Sequence, residues 1–97
     1  MKRLRFEWDE RKAASNRRKH GVSFEEARTV FFDDNALMRP DEEHSDDEDR
    51  FVLLGLSGRL RTLVVCHCYR QDEVIRIISA RRANSFERGQ YEDRRIR

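Results

Sequence analysis

Residues 50–80 read R-F-V-L-L-G-L-S-G-R-L-R-T-L-V-V-C-H-C-Y-R-Q-D-E-V-I-R-I-I-S-A, and this stretch decides the fold. Leu, Val, Ile and Thr dominate three runs that favour extended backbone, at 50–56, 59–70 and 74–80. Ser57-Gly58 and Gln71-Asp72-Glu73 separate them as turns. In the middle run Leu63, Val64, Val65 and Cys66 are apolar at consecutive positions, so both faces are covered and the strand is interior. In the last run Arg76 alternates with Ile75 and Ile77, which lifts a cation out of an apolar face. Turns this short join antiparallel neighbours, and the prediction is an antiparallel meander.

Outward from the meander, residues 36–39 read as a short strand ended by Pro40, the chain's one proline. Before it, Phe24, Ala27, Val30 and Phe31 recur at helical spacing, Ser23 and Glu26 predict a capping box, and Asp33-Asp34-Asn35 stops the helix. A first helix is expected over 10–20, capped by Asp9 and closed by Gly21. Its clearly apolar positions are Ala13 and Ala14, so it packs by a narrow strip and presents Arg11, Lys12, Arg17, Arg18 and Lys19. Residues 4–8 alternate Leu4, Phe6 and Trp8 with Arg5 and Glu7, the period of a half-buried strand. A closing helix over 83–94 turns Ala83, Phe86, Gln90 and Tyr91 toward the sheet. The order predicts one α+β domain over residues 1–97, an antiparallel sheet packed by two N-terminal helices and one C-terminal helix.

Ninety-seven residues suit one modest core. No apolar run approaches the roughly 20 residues of a membrane helix and no signal-peptide pattern opens the chain, so a cytoplasmic protein is expected. Cys66 and Cys68 fall on one face of a strand, which suits free thiols better than a disulfide framework. The net charge of +2 hides a segregated distribution. Residues 1–32 carry nine Lys/Arg against five Asp/Glu, residues 33–49 one against nine, and residues 50–97 eleven against five. Seven of the nine residues at 41–49 are carboxylates, which favours a mobile loop. The Arg-rich C-terminal half favours phosphate recognition, because a planar guanidinium can hold two phosphate oxygens.

The motifs exclude several chemistries. His67 points opposite to Cys66 and Cys68 on a strand, and no second C-x-x-C or H-x-x-x-H pair completes a zinc site around them or around His44 and Glu48. There is no phosphate-binding G-x-x-x-x-G-K-S/T loop and no G-x-S-x-G elbow. What remains is an Arg/His/carboxylate set suited to cutting RNA without a cofactor. The substrate's 2′-hydroxyl can attack the adjacent phosphate if one group accepts its proton, another protonates the leaving oxygen, and cations stabilise the transition state. Arg70, Arg76 and Arg81, at neighbouring strand ends, are the candidate phosphate clamp, with salt bridges to the acidic loop as their structural alternative. Proton-transfer candidates are His44 and Glu48; His67 reads as structural on its interior strand, and His20 as a helix-ending residue whose protonated form complements the dipole. Lys12, Lys19, Arg82 and Tyr91 are candidates to hold RNA, with packing as the alternative for Tyr91; Trp8 is either core or a stacking aromatic. The acidic loop could fold over the arginines, so that neutralising Asp46, Asp47 and Asp49 raises RNA affinity.

The spaced words Phe6-Glu7-Trp8-Asp9, Asn16, Lys19-His20-Gly21-Val22-Ser23-Phe24, His44-Ser45-x-x-Glu48-x-Arg50, Gly55-x-Ser57 and Arg76-Ile77-Ile78-Ser79-Ala80-Arg81 resemble the BrnT family, the ribonuclease toxins of bacterial BrnT–BrnA toxin–antitoxin pairs. The resemblance runs from about Phe6 to Tyr91, and His44 and Glu48 match its words. Glu10 and Asn35 stand where the family pattern often has proline. The resemblance implies a RelE-like fold, an RNA substrate and arrest of translation. It also implies a BrnA-like antitoxin, with operator DNA contacted only through the antitoxin complex. Two other functions remain open from sequence: a non-catalytic nucleic-acid or protein-binding module, and a toxin of the ParE type acting on gyrase.

Overall fold

The computed structural model describes residues 3–44 and 48–96. Among these, strands β1 (Arg5–Glu7), β2 (Leu37–Pro40), β3 (Arg50–Leu56), β4 (Thr62–Tyr69) and β5 (Val74–Arg82) form one sheet in the order β1-β5-β4-β3-β2. β2 to β5 are the expected antiparallel meander. β1, however, lies parallel to β5, with Arg5, Phe6 and Glu7 beside Val74, Ile75 and Arg76, so the sheet is mixed rather than wholly antiparallel. The cause is the connection after β1. Helices α1 (Glu10–His20) and α2 (Phe24–Thr29) carry the chain to the far edge, and the meander returns to β1 running in its direction. A parallel pair needs such a crossover, and three residues of alternation do not announce their neighbour.

The helix ends follow local chemistry. Asp9 accepts from the backbone of Arg11 and Lys12 at 2.8 and 3.1 Å, and Gly21 closes α1 at φ 68° with its N–H on the Arg17 carbonyl. Glu10 is the first residue of α1, where proline is common, and accepts instead from the Trp8 indole at 2.9 Å. At α2 only half of the predicted capping box forms. Ser23 accepts from the Glu26 N–H, but the Glu26 carboxylate turns inward to Ser57 Oγ at 2.7 Å and to the Arg61 guanidinium. α3 (Ser85–Arg95) starts later than expected because Asn84 caps it, in a complete box with Glu87.

Two apolar clusters flank the sheet. On one face Leu53, Leu63, Val65, Ile77 and Ala80 meet Val22, Phe24, Ala27 and Val30, and Phe6, Trp8 and Ala13 close the margin. Trp8 stands edge-on to Phe24 with ring centroids 6.0 Å apart, so its ring packs. On the other face Leu54, Val64, Ala83 and Tyr91 form a smaller cluster under α3. Phe86 does not join it and is 73% exposed, because five residues place it about 140° around the helix from buried Tyr91. β3 passes so close to residues 30–36 that a Cβ on Gly55 would meet Val30 Cγ1 at 2.8 Å and Ala36 Cβ at 2.9 Å, so only glycine fits there. The β3–β4 hairpin is looser than the two-residue turn expected. Ser57 N–H reaches the Arg61 carbonyl at 2.8 Å, Leu60 adopts φ 63°, and β4 begins at Thr62.

Candidate functional site

A single irregularity in β5 shapes the site. Cys66 pairs with Ser79 and His67 with Ile77, so β5 carries one extra residue there, a β-bulge. Arg76 and Arg81 are five positions apart and strict alternation would send them to opposite faces. The bulge restores them to one face, opposite Cys68 and Val64. That is the face under α3, and α3 covers only part of it. The remainder opens as a cleft of about 360 Å³, whose lining includes Arg50 of β3, Cys66 of β4, Arg81 of β5, Asp41 and His44 of the turn after β2, and His20 at the end of α1. A larger hollow of about 500 Å³ lies between α1 and α2, beside Ala14, Arg17 and Glu25. It offers arginines and carboxylates but no imidazole, so the smaller cleft is the better place for proton transfer.

Inside the cleft, His44 is exposed and its Nδ1 lies 3.0 Å from an Asp41 carboxylate oxygen. A carboxylate at Nδ1 keeps the proton there and leaves Nε2 as the basic nitrogen. Arg81 donates two parallel bonds of 2.8 Å to Glu87, which also caps α3, so the guanidinium is held where β5 meets α3. The pair holds Glu87 below the usual carboxylate range and raises Arg81 further. Cys66 lies beside Asp41, and burial, reinforced by that carboxylate, pushes its thiol up to about 11, so it stays protonated near neutral pH. Both cysteines are free.

The other candidates form a second group. Arg70 reaches Glu48 at 3.4 Å, and Arg76 pairs with Glu7 of β1 at 2.6 Å. Both arginines and Glu48 surround Cys68, whose thiol is raised by burial first and by Glu48 next. Arg76 and Arg81 stand opposite β4 residues four apart, about 13 Å along the strand. The three arginines therefore do not make one clamp; they form two separate cationic positions. Each already holds a carboxylate, but the partners of Arg76 and Arg81 come from β1 and α3 rather than from the acidic loop. Of that loop, Asp41 to His44 and Glu48 to Asp49 are described, while Ser45, Asp46 and Asp47 lie outside the described residues.

The RNA-holding candidates do not converge on the cleft. Tyr91 is 1% exposed and donates to Asp33 at 2.7 Å; burial and that bond push its hydroxyl up to about 12. Its ring fills the second cluster and cannot stack a base. Arg82 pairs with Leu63 and faces away from Arg81. Lys12 and Lys19 are exposed on α1, outside the lining of the cleft. His67 is fully buried on the face packed by α1 and α2, edge-on to Phe31 and Tyr69, with Nδ1 3.2 Å from the Val65 carbonyl; its placement is structural, but Nε2 has no partner among the described residues. Among the described residues no group of three or more His, Cys, Asp and Glu could hold a metal ion, and no helix is long and apolar enough to cross a membrane.

Sequence reasoning did not foresee three contributors. Arg50 begins a strand whose alternation gives no hint of a cleft, although it closes the family word that starts at His44. Asp41 looked like one acid among seven. Asn16, buried in α1, donates to the carbonyls of Ala80 and Val22 at 2.8 and 3.0 Å and accepts from the Ala80 N–H at 3.0 Å. It stands in for a neighbouring strand where β1 has ended. Its presence among the family words was the one signal.

Residues 8–87, which include every residue lining the cleft, match the family described as the ribonuclease toxin, BrnT, of type II toxin–antitoxin systems. Among solved structures, the crystal structure of the Brucella abortus ribonuclease toxin BrnT is similar. It is 25% identical, aligns over 86% of this chain and 100% of that one, and superposes with a TM-score of 0.66. No curated protein matches the sequence. With the family's sequence pattern running from the residues just before α1 to the first turn of α3 and a backbone of the same shape, this chain belongs to the BrnT family of type II toxin–antitoxin ribonuclease toxins.

Proposed function

We propose that this ribonuclease toxin cuts RNA internally by 2′-hydroxyl attack, needs no metal ion, and acts in the cytoplasm as a single RelE-like domain over residues 1–97. The observation that carries the reading is the Asp41–His44 pair beside Arg81 in one cleft. His44 Nε2 takes the proton from the 2′-hydroxyl as its oxygen attacks phosphorus, and Arg81 and Arg50 stabilise the charge that builds on the phosphoryl oxygens. Arg70 and Arg76, with Glu48 beside them, hold a neighbouring phosphate, and Lys12, Lys19 and Arg82 add longer-range attraction. The antitoxin is BrnA-like, occupies the basic face, and supplies the contacts to operator DNA.

The test maps RNA ends after brief induction without antitoxin, beside an Arg81→Ala variant shown to remain folded. Cleavage by the wild type with 2′,3′-cyclic phosphate ends, reduced at least 100-fold in the variant, is the expected result. Cyclic ends with undiminished cleavage by the variant would remove Arg81 from the site. Ends of another kind would overturn 2′-hydroxyl attack.

A further inference from the structure

We propose that His20 is the second proton-transfer group of the cleft, the general acid that protonates the leaving 5′-oxygen, an inference that rests on the 2′-hydroxyl reading above. Three placements carry it. Among the described residues β1 pairs with Val74 to Arg76, and no strand lies beside the edge of β5 beyond them. Asn16 fills that edge by bonding both backbone groups of Ala80, which anchors α1 against β5. His20 lies four residues after Asn16, one turn on and on the same side of the helix, and so comes to the cleft beside Ser79 and Arg81.

His44 approaches from the other wall. Its turn packs against β3, while His20 belongs to the β5 side, with β4 between them as the floor. Two strand spacings separate those walls by about 10 Å. In-line displacement at phosphorus requires this arrangement, since the attacking 2′-oxygen and the departing 5′-oxygen lie on opposite sides. The 2′-O–P bond forms as the P–5′-O bond breaks. The 2′-hydroxyl proton passes to His44 and a proton from His20 passes to the 5′-oxygen, leaving a 2′,3′-cyclic phosphate and a 5′-hydroxyl. The roles are divided by Asp41. A carboxylate at Nδ1 orients an imidazole to accept a proton, as in hydrolase triads, which leaves the acid's role to His20.

The experiment measures single-turnover cleavage of a short oligoribonucleotide spanning a site that the wild type cuts. The same sequence is also made with sulfur replacing the leaving 5′-oxygen, a thiolate that departs without protonation. His20→Gln and His44→Gln are compared with the wild type, and circular dichroism with thermal unfolding reports the folded fraction independently of the rate. The expected outcome is a loss of about 10²-fold or more for His20→Gln on the oxygen substrate and a rate within about tenfold of wild type on the sulfur substrate. His44→Gln should be slow on both. A His20→Gln rate constant near wild type on the oxygen substrate, or equally depressed on both, overturns the assignment. Should the wild type itself yield no cyclic phosphate, the 2′-hydroxyl reading fails instead, whatever His20 does.

Discussion

His67 and Asn16 illustrate how differently two buried polar side chains are accommodated. Asn16 satisfies three backbone groups and replaces a missing strand neighbour. His67 has one bond, to the Val65 carbonyl, and no partner for Nε2 among the described residues, inside a wall of Phe31, Phe51 and Tyr69. Burial lowers its pKa from the ordinary 6.5, outweighing the raising effect of the Val65 carbonyl. Above about pH 6.5 both folded and unfolded chains carry a neutral ring and the stability is fully present. As pH falls below that value the unfolded chain takes up a proton that the folded one refuses, so stability drops until pH passes the folded pKa. For a single proton the slope is bounded at about 1.4 kcal/mol per pH unit. Urea unfolding between pH 7.5 and 5.5 checks this, since His67→Phe, which keeps a ring in the aromatic wall, should flatten the wild-type dependence. A parallel slope in the variant would assign it to other groups.

Single ion pairs tie the elements of this fold together. Glu26 of α2 lies buried and accepts from Ser57 and from two nitrogens of Arg61, so one carboxylate fastens α2 to the β3–β4 hairpin. The Arg61 bond holds its pKa below the usual range. The pair therefore contributes stability above the ordinary carboxylate value near 4.5, which is lost as pH falls through the folded pKa. Arg61→Ala leaves the carboxylate buried with Ser57 alone and should cost about 3 kcal/mol at pH 7 in chemical unfolding. If the cost is removed when Glu26→Gln is added, the penalty is the stranded charge; if it persists, Arg61 acts by packing.

At the scale of the molecule, acidic and basic segments separated in sequence meet around one face of the sheet. Asp41 lies beside His44 and Cys66, and Glu48 reaches Arg70. Negative charge at this position competes with RNA phosphates for the same cations. Replacing Asp49 together with Asp46 and Asp47, two residues outside the described ones, by Asn should raise affinity for uncleavable 2′-O-methyl RNA. The expected gain is about threefold to tenfold at low salt, shrinking as salt screens it. Unchanged binding at low salt would show that the loop does not oppose RNA.

Alternation, helical spacing and end-capping are local rules, so residue order alone sets the meander, the interior position of β4, the caps at Asp9 and Gly21 and the turning of Arg76 away from the face packed by α1 and α2. Family membership was legible for a related reason, since its words are spread over both ends of the chain. The parallel pairing of β1 with β5, the burial of Tyr91 and the bulge that brings Arg76 and Arg81 to one face come instead from long-range contacts. The placing of His20 and His44 along one cleft belongs with these. An edge pairing or a one-residue shift of register depends on contacts between residues tens of positions apart, and such a shift reverses the face of every side chain beyond it.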